Sequence, residues 1–530
     1  MSVTGHVLPG AAEGAVAEAV ERAAAENVFD RARAKDPTLW GPEGTPELAN
    51  RLGWIDIAGR TEADIAEAET LLAELQAEGY TDVVVLGMGG SSLAPEVFRR
   101  SFANPGGLTL HVLDTTEPLE IAAVQDKLPI ETTLFIVSSK SGGTVEPNSL
   151  FAHFYALTED GKHFVAVTDP GTHMGDVASE HGFRKVFVND PDIGGRYSAL
   201  SWFGIVPAAL AGIDVKAVLE TAVAAERASE PDSGLWLGAA LGGLANTGHD
   251  KLAFIIDPPL EALGLWAEQL IAESTGKQGK GMLPIADEPI GDNYGSDRVF
   301  LHVRSAGAPD GGNADAVKRL ADAGHPIITM DARGPEDLGR IFYELEFATA
   351  VLGWALGINP FDQPNVQEAK DNTNKVLAEG AGDIADGELN ELTDGLAALA
   401  GVVGGPYIAI MGYLPYEDGV DAAVAKLRAA VIARYGVATT FGYGPRFLHS
   451  TGQYHKGGPK QGRFLQFVHD SDADEDIPGA DFDFRKLVSA QADGDLQTLR
   501  SHGLTAVRVR LSAGDLAGSI DRITATIQGD

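Results

Sequence analysis

The chain has 530 residues, 44% of them hydrophobic and none of them cysteine. That leaves room for about three domains with large cores and excludes disulfides, thiolate metal sites and cysteine nucleophiles. A formal net charge of −36 argues against nucleic acid and anionic membranes as partners, so an anionic ligand needs a local patch of basic side chains and backbone N–H groups.

The first 35 residues carry acidic side chains and no apolar core segment. They read as a surface helix, not a signal peptide, within a helical arm over 1–45. With no cysteine, the chain fits a reducing cytosol, and a cytoplasmic location is expected. Residues 61–79 have helical spacing in Ile65, Ala68, Leu72 and Leu75, with Thr61 as a cap and Gly79 at the C′ position. Short β-branched runs follow at 82–87, 108–114, 132–139, 163–169 and 185–190, with helical patterns between most of them. Near-continuous apolar strands alternating with helices predict a parallel sheet covered on both faces, an α/β doubly wound arrangement.

A helical segment near 214–248 separates this unit from a second run of strands at 251–257, 298–304 and 325–332, with helices at 260–275 and 336–357. A third unit begins near 380, with strands at 407–414, 463–468 and 506–511 and helices at 419–435, 483–502 and 514–527. The uncharged run 395–416 is long enough for a membrane span. Its "GGP" at 404–406 divides it, however, and predicts a buried helix–turn–strand. The acidic stretch 469–483 reads as a solvated loop.

In open parallel sheets, ligands bind beyond the carboxyl ends of the strands. "GMGGSS" (87–92) and "SSKSGGT" (138–144) both occupy such ends. Glycines allow close backbone approach, and the following helices offer free N–H groups with a favourable dipole. Ser91, Ser139, Ser141 and Thr144 would add hydroxyls and Lys140 a positive charge. The full G-x-G-x-x-G pattern and a P-loop lysine are missing, so a sugar monophosphate suits these turns better than a dinucleotide. Each turn alone could be an ordinary capped turn; two in one sheet favour an anion site.

Further on, "DIGGRYSALSWFG" places Arg196 beside a glycine pair, either as a loop anchor or to stabilise a developing oxyanion. "LWAEQLIAESTGKQGKG" sets Gln269 and Glu273 four apart on an apolar helix. A carboxylate at a helix C-terminus opposes the macrodipole, so Glu273 is poorly explained by local stability, although periodicity alone favours a solvent-facing glutamate. "NPFDQPNVQEAK" holds Gln363 and ends in Lys370, a surface charge or a third cation facing the anion.

Taken in order, G-x-G-G-S, S-K-S/T-x-x-T, G-G-R-Y-S, E-S-x-G-K and F-D-Q-P-x-V-x-x-x-K resemble the phosphoglucose isomerase family. The closest likeness is to the isomerase half of bifunctional transaldolase/phosphoglucose isomerases, over about residues 36–530. No transaldolase barrel, which alone needs roughly 250 residues, is expected. The resemblance implies two sugar-isomerase α/β domains, at 46–235 and 236–380, followed by a C-terminal α/β domain at 381–530. It also implies that Gly90 and Ser91 form a substrate-binding turn, that Ser139, Lys140, Ser141 and Thr144 bind phosphate, and that Gln269 and Gln363 contact substrate. Arg196 would lie near the reacting carbons, Glu273 would be the base, and Lys370 would assist ring opening.

One departure concerns the family's ring-opening histidine, which follows the base. The linear equivalent here, 293–303, holds Asp297 instead, and His302 has the pattern of a core residue. A better motif match is "HSTGQYHKGGPKQGRFLQF" (449–467), so His449 or His455 could supply the function, with His455 preferred because it follows "TGQ". The implied activity is reversible isomerisation of glucose 6-phosphate and fructose 6-phosphate through a cis-enediolate, without cofactor or metal. A dual phosphoglucose/phosphomannose isomerase and a non-catalytic sugar-phosphate sensor are the alternatives. The family is commonly dimeric, so a homodimer is possible.

Overall fold

The computed structural model describes residues 3–103, 105–228, 233–308, 312–379, 405–471, 473–512 and 514–529. In the helix Pro364–Glu379 the side chains at 366, 367, 369, 370, 374 and 379 also lie outside the described residues.

β1 (Val3–Val7) opens the chain, and the helices Ala11–Ala25 and Val28–Arg33 follow. The expected arm is helical over these two segments but starts with a strand, whose partner lies far along the chain. The helix expected at 61–79 begins earlier. It runs Ile57–Asp64 and Ala66–Glu78 around a turn at Ile65 and ends on a left-handed Gly79. Thr61 is therefore no cap. It sits inside the helix, and its hydroxyl donates to the Leu200 carbonyl at 2.9 Å.

The first sheet contains β2 (Asp82–Gly87), β3 (Thr109–Leu113), β4 (Thr133–Ser138), β5 (Phe164–Thr168) and β6 (Lys185–Val188). All pairs are parallel, in the order β3-β2-β4-β5-β6. β4 and β5 are buried along their whole length, because helices cover both faces. The strand order reverses between β2 and β4, and the register pairs Gly87 with Ser138. The two glycine–serine turns therefore leave the sheet side by side at its switch point, where an α/β sheet opens a crevice.

The second sheet is built from β7 (Lys251–Ile256), β8 (Leu283–Ile285), β9 (Arg298–Ser305) and β10 (Ile327–Ala332), in the order β1-β10-β9-β7-β8. β1 adds antiparallel to the edge at β10, and the other pairs are parallel. The third sheet joins β11 (Tyr407–Gly412), β12 (Ala438–Tyr443), β13 (Gly462–His469) and β14 (Thr505–Leu511), all parallel, in the order β12-β11-β13-β14.

Residues 395–404 of the 395–416 run lie outside the described residues, and its second half contains β11. Among the described residues no helix is long and apolar enough to cross a membrane. The acidic stretch after β13 is mostly exposed, as expected, but Ile477 anchors it in an apolar cluster with Val84, Phe135 and Phe154 of the first unit. The third unit also shares a cluster with the second, in which Ile255 and Phe300 meet Tyr407, Tyr454 and Phe464.

Candidate active site

The turn after β2 is pressed directly onto the turn that carries Arg196. A Cβ at Gly90 would stand 1.9 Å from the Gly195 carbonyl oxygen, so no side chain fits there. Gly89 has φ +54, and a Cβ there would meet Gln269 and the His449 carbonyl, both at 2.8 Å. Three separate stretches of chain thus converge on one backbone turn.

They enclose a crevice of about 450 Å³ at the carboxyl ends of β2 and β4. Gly90, Ser91, Ser139, Lys140, Ser141, Thr144, Arg196, Gln269, Glu273 and Gln363 all line it. Each was singled out by sequence. Thr144 precedes the helix Val145–Thr158 but makes no side-chain cap bond, which leaves its hydroxyl and the first helical N–H groups for a ligand. The hydroxyls of Ser138 and Ser139 are buried and have no hydrogen-bond partner, as does Gln269 Oε1. Unpaired buried polar atoms are costly unless a ligand or water completes them.

Glu273 lies in the last turn of the helix Leu263–Thr275 and is 7% exposed, so the solvent-facing reading does not hold. Arg196 offsets the unfavourable dipole there, with its Nη1 3.2 Å from Glu273 Oε1. Gln269 Nε2 donates both to Glu273 Oε2 at 3.0 Å and to the His449 carbonyl at 2.8 Å. Arg196 is wholly buried. Nε donates to Ser274 Oγ, Nη1 to Gln363 Oε1, and Nη2 to the carbonyls of Pro360 and Asp362. With its donors engaged, the guanidinium acts on the crevice through its charge and through the positions it imposes on Glu273 and Gln363.

Lys277 follows this helix and is 3% exposed. Its ammonium reaches the Asn359 carbonyl at 2.8 Å and the Asp362 carboxylate at 2.7 Å. Burial, with Arg196 nearby, pulls its pKa down to about 7. Gln453 closes the same corner from the third unit, with Nε2 donating to the Gly276 carbonyl and Oε1 accepting from Asn365 N. Lys370 belongs to the helix Pro364–Glu379, and its side chain lies outside the described residues.

The histidine preference is reversed by location. His455 is not part of the crevice. It is buried among Tyr407, Phe447 and Phe464, both ring nitrogens lack partners, and burial with Lys456 nearby lowers its pKa to about 3. His449 lines the crevice instead, with Nε2 2.9 Å from Glu146 Oε1. That oxygen also accepts from Gln491 Nε2 at 2.8 Å, and Gln491 Oε1 in turn accepts from the Thr116 hydroxyl. Asp297 stands 3.5 Å from Lys251, away from the lining, and His302 is a buried core residue 3.3 Å from Asp257.

Arg51, Asp169 and Glu146 were missed by sequence. Asp169 had a usable signal, since it follows β5 at the same sheet edge. Glu146 also had one, lying two residues past the serine–glycine turn. Arg51 had none: it reaches the crevice from an irregular segment before the first sheet.

A model of the phosphoglucose isomerase family matches residues 74–278, which include both turns, Arg196, Gln269 and Glu273. A glucose-6-phosphate isomerase of Rubrobacter xylanophilus is 30% identical, over 57% of this chain and 84% of that protein. The crystal structure of a hypothetical protein from Thermus thermophilus superposes with a TM-score of 0.60 at 26% identity, covering 71% of this chain and all of that one. A Chlamydia trachomatis glucose-6-phosphate isomerase shares the fold, with a TM-score of 0.52 at 23% identity over 62% of this chain and 75% of its own.

Proposed function

The chain belongs to the phosphoglucose isomerase family, and from that premise we propose that its crevice interconverts glucose 6-phosphate and fructose 6-phosphate through a cis-enediolate with Glu273 as the base. On this reading residues 46–235 and 236–380 are the two sugar-isomerase domains, and the C-terminal unit completes their site. One observation carries the proposal: the Glu273 carboxylate faces the same crevice as the unpaired Ser138 and Ser139 hydroxyls and the helix start at Thr144. A phosphate held at the serine turns supplies binding energy remote from the reacting carbons.

His449 opens the pyranose ring by general acid–base exchange. Glu146 accepts a hydrogen bond from Nε2–H and so leaves Nδ1, which has no partner among the described residues, to exchange protons with the ring. Lys370 is assigned an assisting role by resemblance alone. Glu273 then takes the proton from C2 and returns it to C1, while the hydroxyl proton passes from O2 to O1. One carboxylate suffices because the two carbons are adjacent and the proton stays on one face. Arg196 stabilises the charge that develops on the enediolate and holds the Glu273 carboxylate in place.

The test is incubation with fructose 6-phosphate in deuterium oxide, comparing the parent with Glu273→Gln. The parent converts the sugar and incorporates deuterium at the transferred position. The variant loses about 10²–10⁴ in kcat, and its exchange with it, while KM changes little. Near-full turnover in Glu273→Gln would remove it from the base role, and conversion with no label at all would favour hydride transfer.

A further inference from the structure

Among the described residues, the lysine and arginines that line the crevice are already matched by carboxylates. Arg196 faces Glu273, Arg51 pairs with Glu47 at 2.9 Å, and Lys140 is in contact with Asp169. Asp169 and Lys140 both line the crevice, and their strands hold them there: Asp169 N donates to the Lys140 carbonyl, and Ser139 N donates to the Val167 carbonyl. Lys140 also donates to the Pro191 carbonyl at 3.0 Å. A phosphate monoester carries nearly two negative charges at neutral pH. It must enter a pocket whose described lining cations are already paired, on a chain of net charge −36.

We propose that Asp169 is a built-in counter-anion that the substrate phosphate displaces from Lys140, which makes the site selective for dianions over monovalent anions. A phosphate brings more charge and three acceptor oxygens to Lys140, against one charge on the carboxylate. Chloride or a simple carboxylate brings no more charge than Asp169 already supplies, and gains nothing by replacing it. Only Oδ2 of the Asp169 carboxylate meets Lys140, Oδ1 has no hydrogen-bond partner, and burial keeps the group above the ordinary carboxylate range even beside the ammonium. Arg51 is the second cation within reach of an incoming phosphate, because its partner Glu47 lies outside the lining.

This inference rests on the assignment of Ser139–Thr144 to phosphate, and its experiment separates the two. Isomerisation of fructose 6-phosphate is measured at low ionic strength and with added potassium chloride or acetate, for the parent, Asp169→Asn, Asp169→Ala and Lys140→Met. Removing one charge beside a bound dianion lowers KM by about tenfold at low salt. Both Asp169 variants are expected to show that fall in KM, and to become competitively inhibited by chloride and acetate at concentrations that leave the parent unaffected. Lys140→Met raises KM. If Lys140→Met leaves KM unchanged, the phosphate assignment itself fails. If it raises KM and neither Asp169 variant lowers it, the counter-anion fails alone. Two Asp169 variants guard against a loop disturbed by either substitution, and circular dichroism melts confirm that each is folded.

Discussion

Replacing Glu146 by glutamine removes a charge from behind His449 at nearly constant shape. A single oxygen, Oε1, accepts from both His449 Nε2 and Gln491 Nε2, so a glutamine carbonyl in that place keeps both contacts. On the proposed mechanism, what is lost is the stabilisation of the imidazolium that forms when His449 takes a proton from the sugar hydroxyl. Changing a charged acceptor to a neutral one costs about 1–1.5 kcal/mol per hydrogen bond. Treated instead as two unit charges about 4 Å apart at an effective dielectric of about 20, the lost attraction is about 4 kcal/mol, an upper bound for a pair that is 16% and 4% exposed. Ring opening should therefore slow by about 10- to 10³-fold. The assay compares two substrates. Glucose 6-phosphate must be opened before C2 can be deprotonated. A four-carbon aldose 4-phosphate cannot close a furanose ring, because its fourth oxygen is esterified. Glu146→Gln should lose activity on the first and keep its rate of C2–H exchange on the second. Equal losses on both would mean that Glu146 supports the site as a whole. No loss on the ring form would refute the acid–base role of His449.

His449→Asn should reproduce that substrate split. His455→Leu replaces a buried imidazole with unpaired nitrogens and should retain turnover without lowering the thermal midpoint; loss of turnover would return ring opening to His455. Lys277 has a folded pKa depressed to about 7. Between that value and the ordinary lysine pKa of about 10.4 the unfolded chain binds the extra proton, so its contribution to stability rises with pH over that window. The midpoint of the parent relative to Lys277→Met should therefore increase from neutral pH toward a pH of about 9.5, and a constant difference would show that the ammonium is not held as buried. Gly90→Ala drives a methyl group into the Gly195 carbonyl and should raise KM or unfold the protein, as read by kinetics and melting; a variant with parental KM and midpoint would contradict the close packing of the two turns.

Where a strand is a continuous apolar run, as in "DVVVLG" or "TTLFIVSS", it was legible to within a residue or two, because burial on both faces leaves no alternation to misread. The missed strands lack that signature. β12 is "ATTFGY", in which Thr439 bonds the buried Glu288 carboxylate. β8 is three residues long and contains a proline. β1 is mostly exposed and is a strand only because β10 offers it an edge. The same division runs through the site. Residues at strand ends and in dense glycine–serine turns could be found because the sheet dictates where they project. His449, Glu146 and Arg51 could not be ranked this way, since their roles come from contacts between segments far apart in sequence. The preference for His455 followed a linear motif, but the rings of Tyr407 and Phe464 hold that residue in the core.

The third unit is built into the walls of the crevice and is not simply appended to the first two. It shares one apolar cluster with the second sheet and another with the first, so it is fixed from two sides. Several of its polar contacts bear on the turns and the helix end that form the crevice. Asp114, fully buried at the end of β3, accepts from Arg446 Nε and Nη2, from the Tyr416 hydroxyl and from Ser92 Oγ. Ser92 adjoins Ser91 in the glycine–serine turn, so Arg446 of the third unit fixes that turn through one carboxylate. Buried ion pairs add little net stability over apolar replacements, but removing one partner strands the other charge. The pair is then better understood as setting position: three residues beyond Arg446, His449 meets Glu146, and four further on, Gln453 clamps the end of the helix that carries Glu273. A chain cut before β11 would lose the histidine, the clamp and the partner of Asp114 together. Its failure to turn over substrate would therefore report the collapse of the crevice, and single substitutions at His449, Gln453 and Arg446 are needed to separate the three contributions.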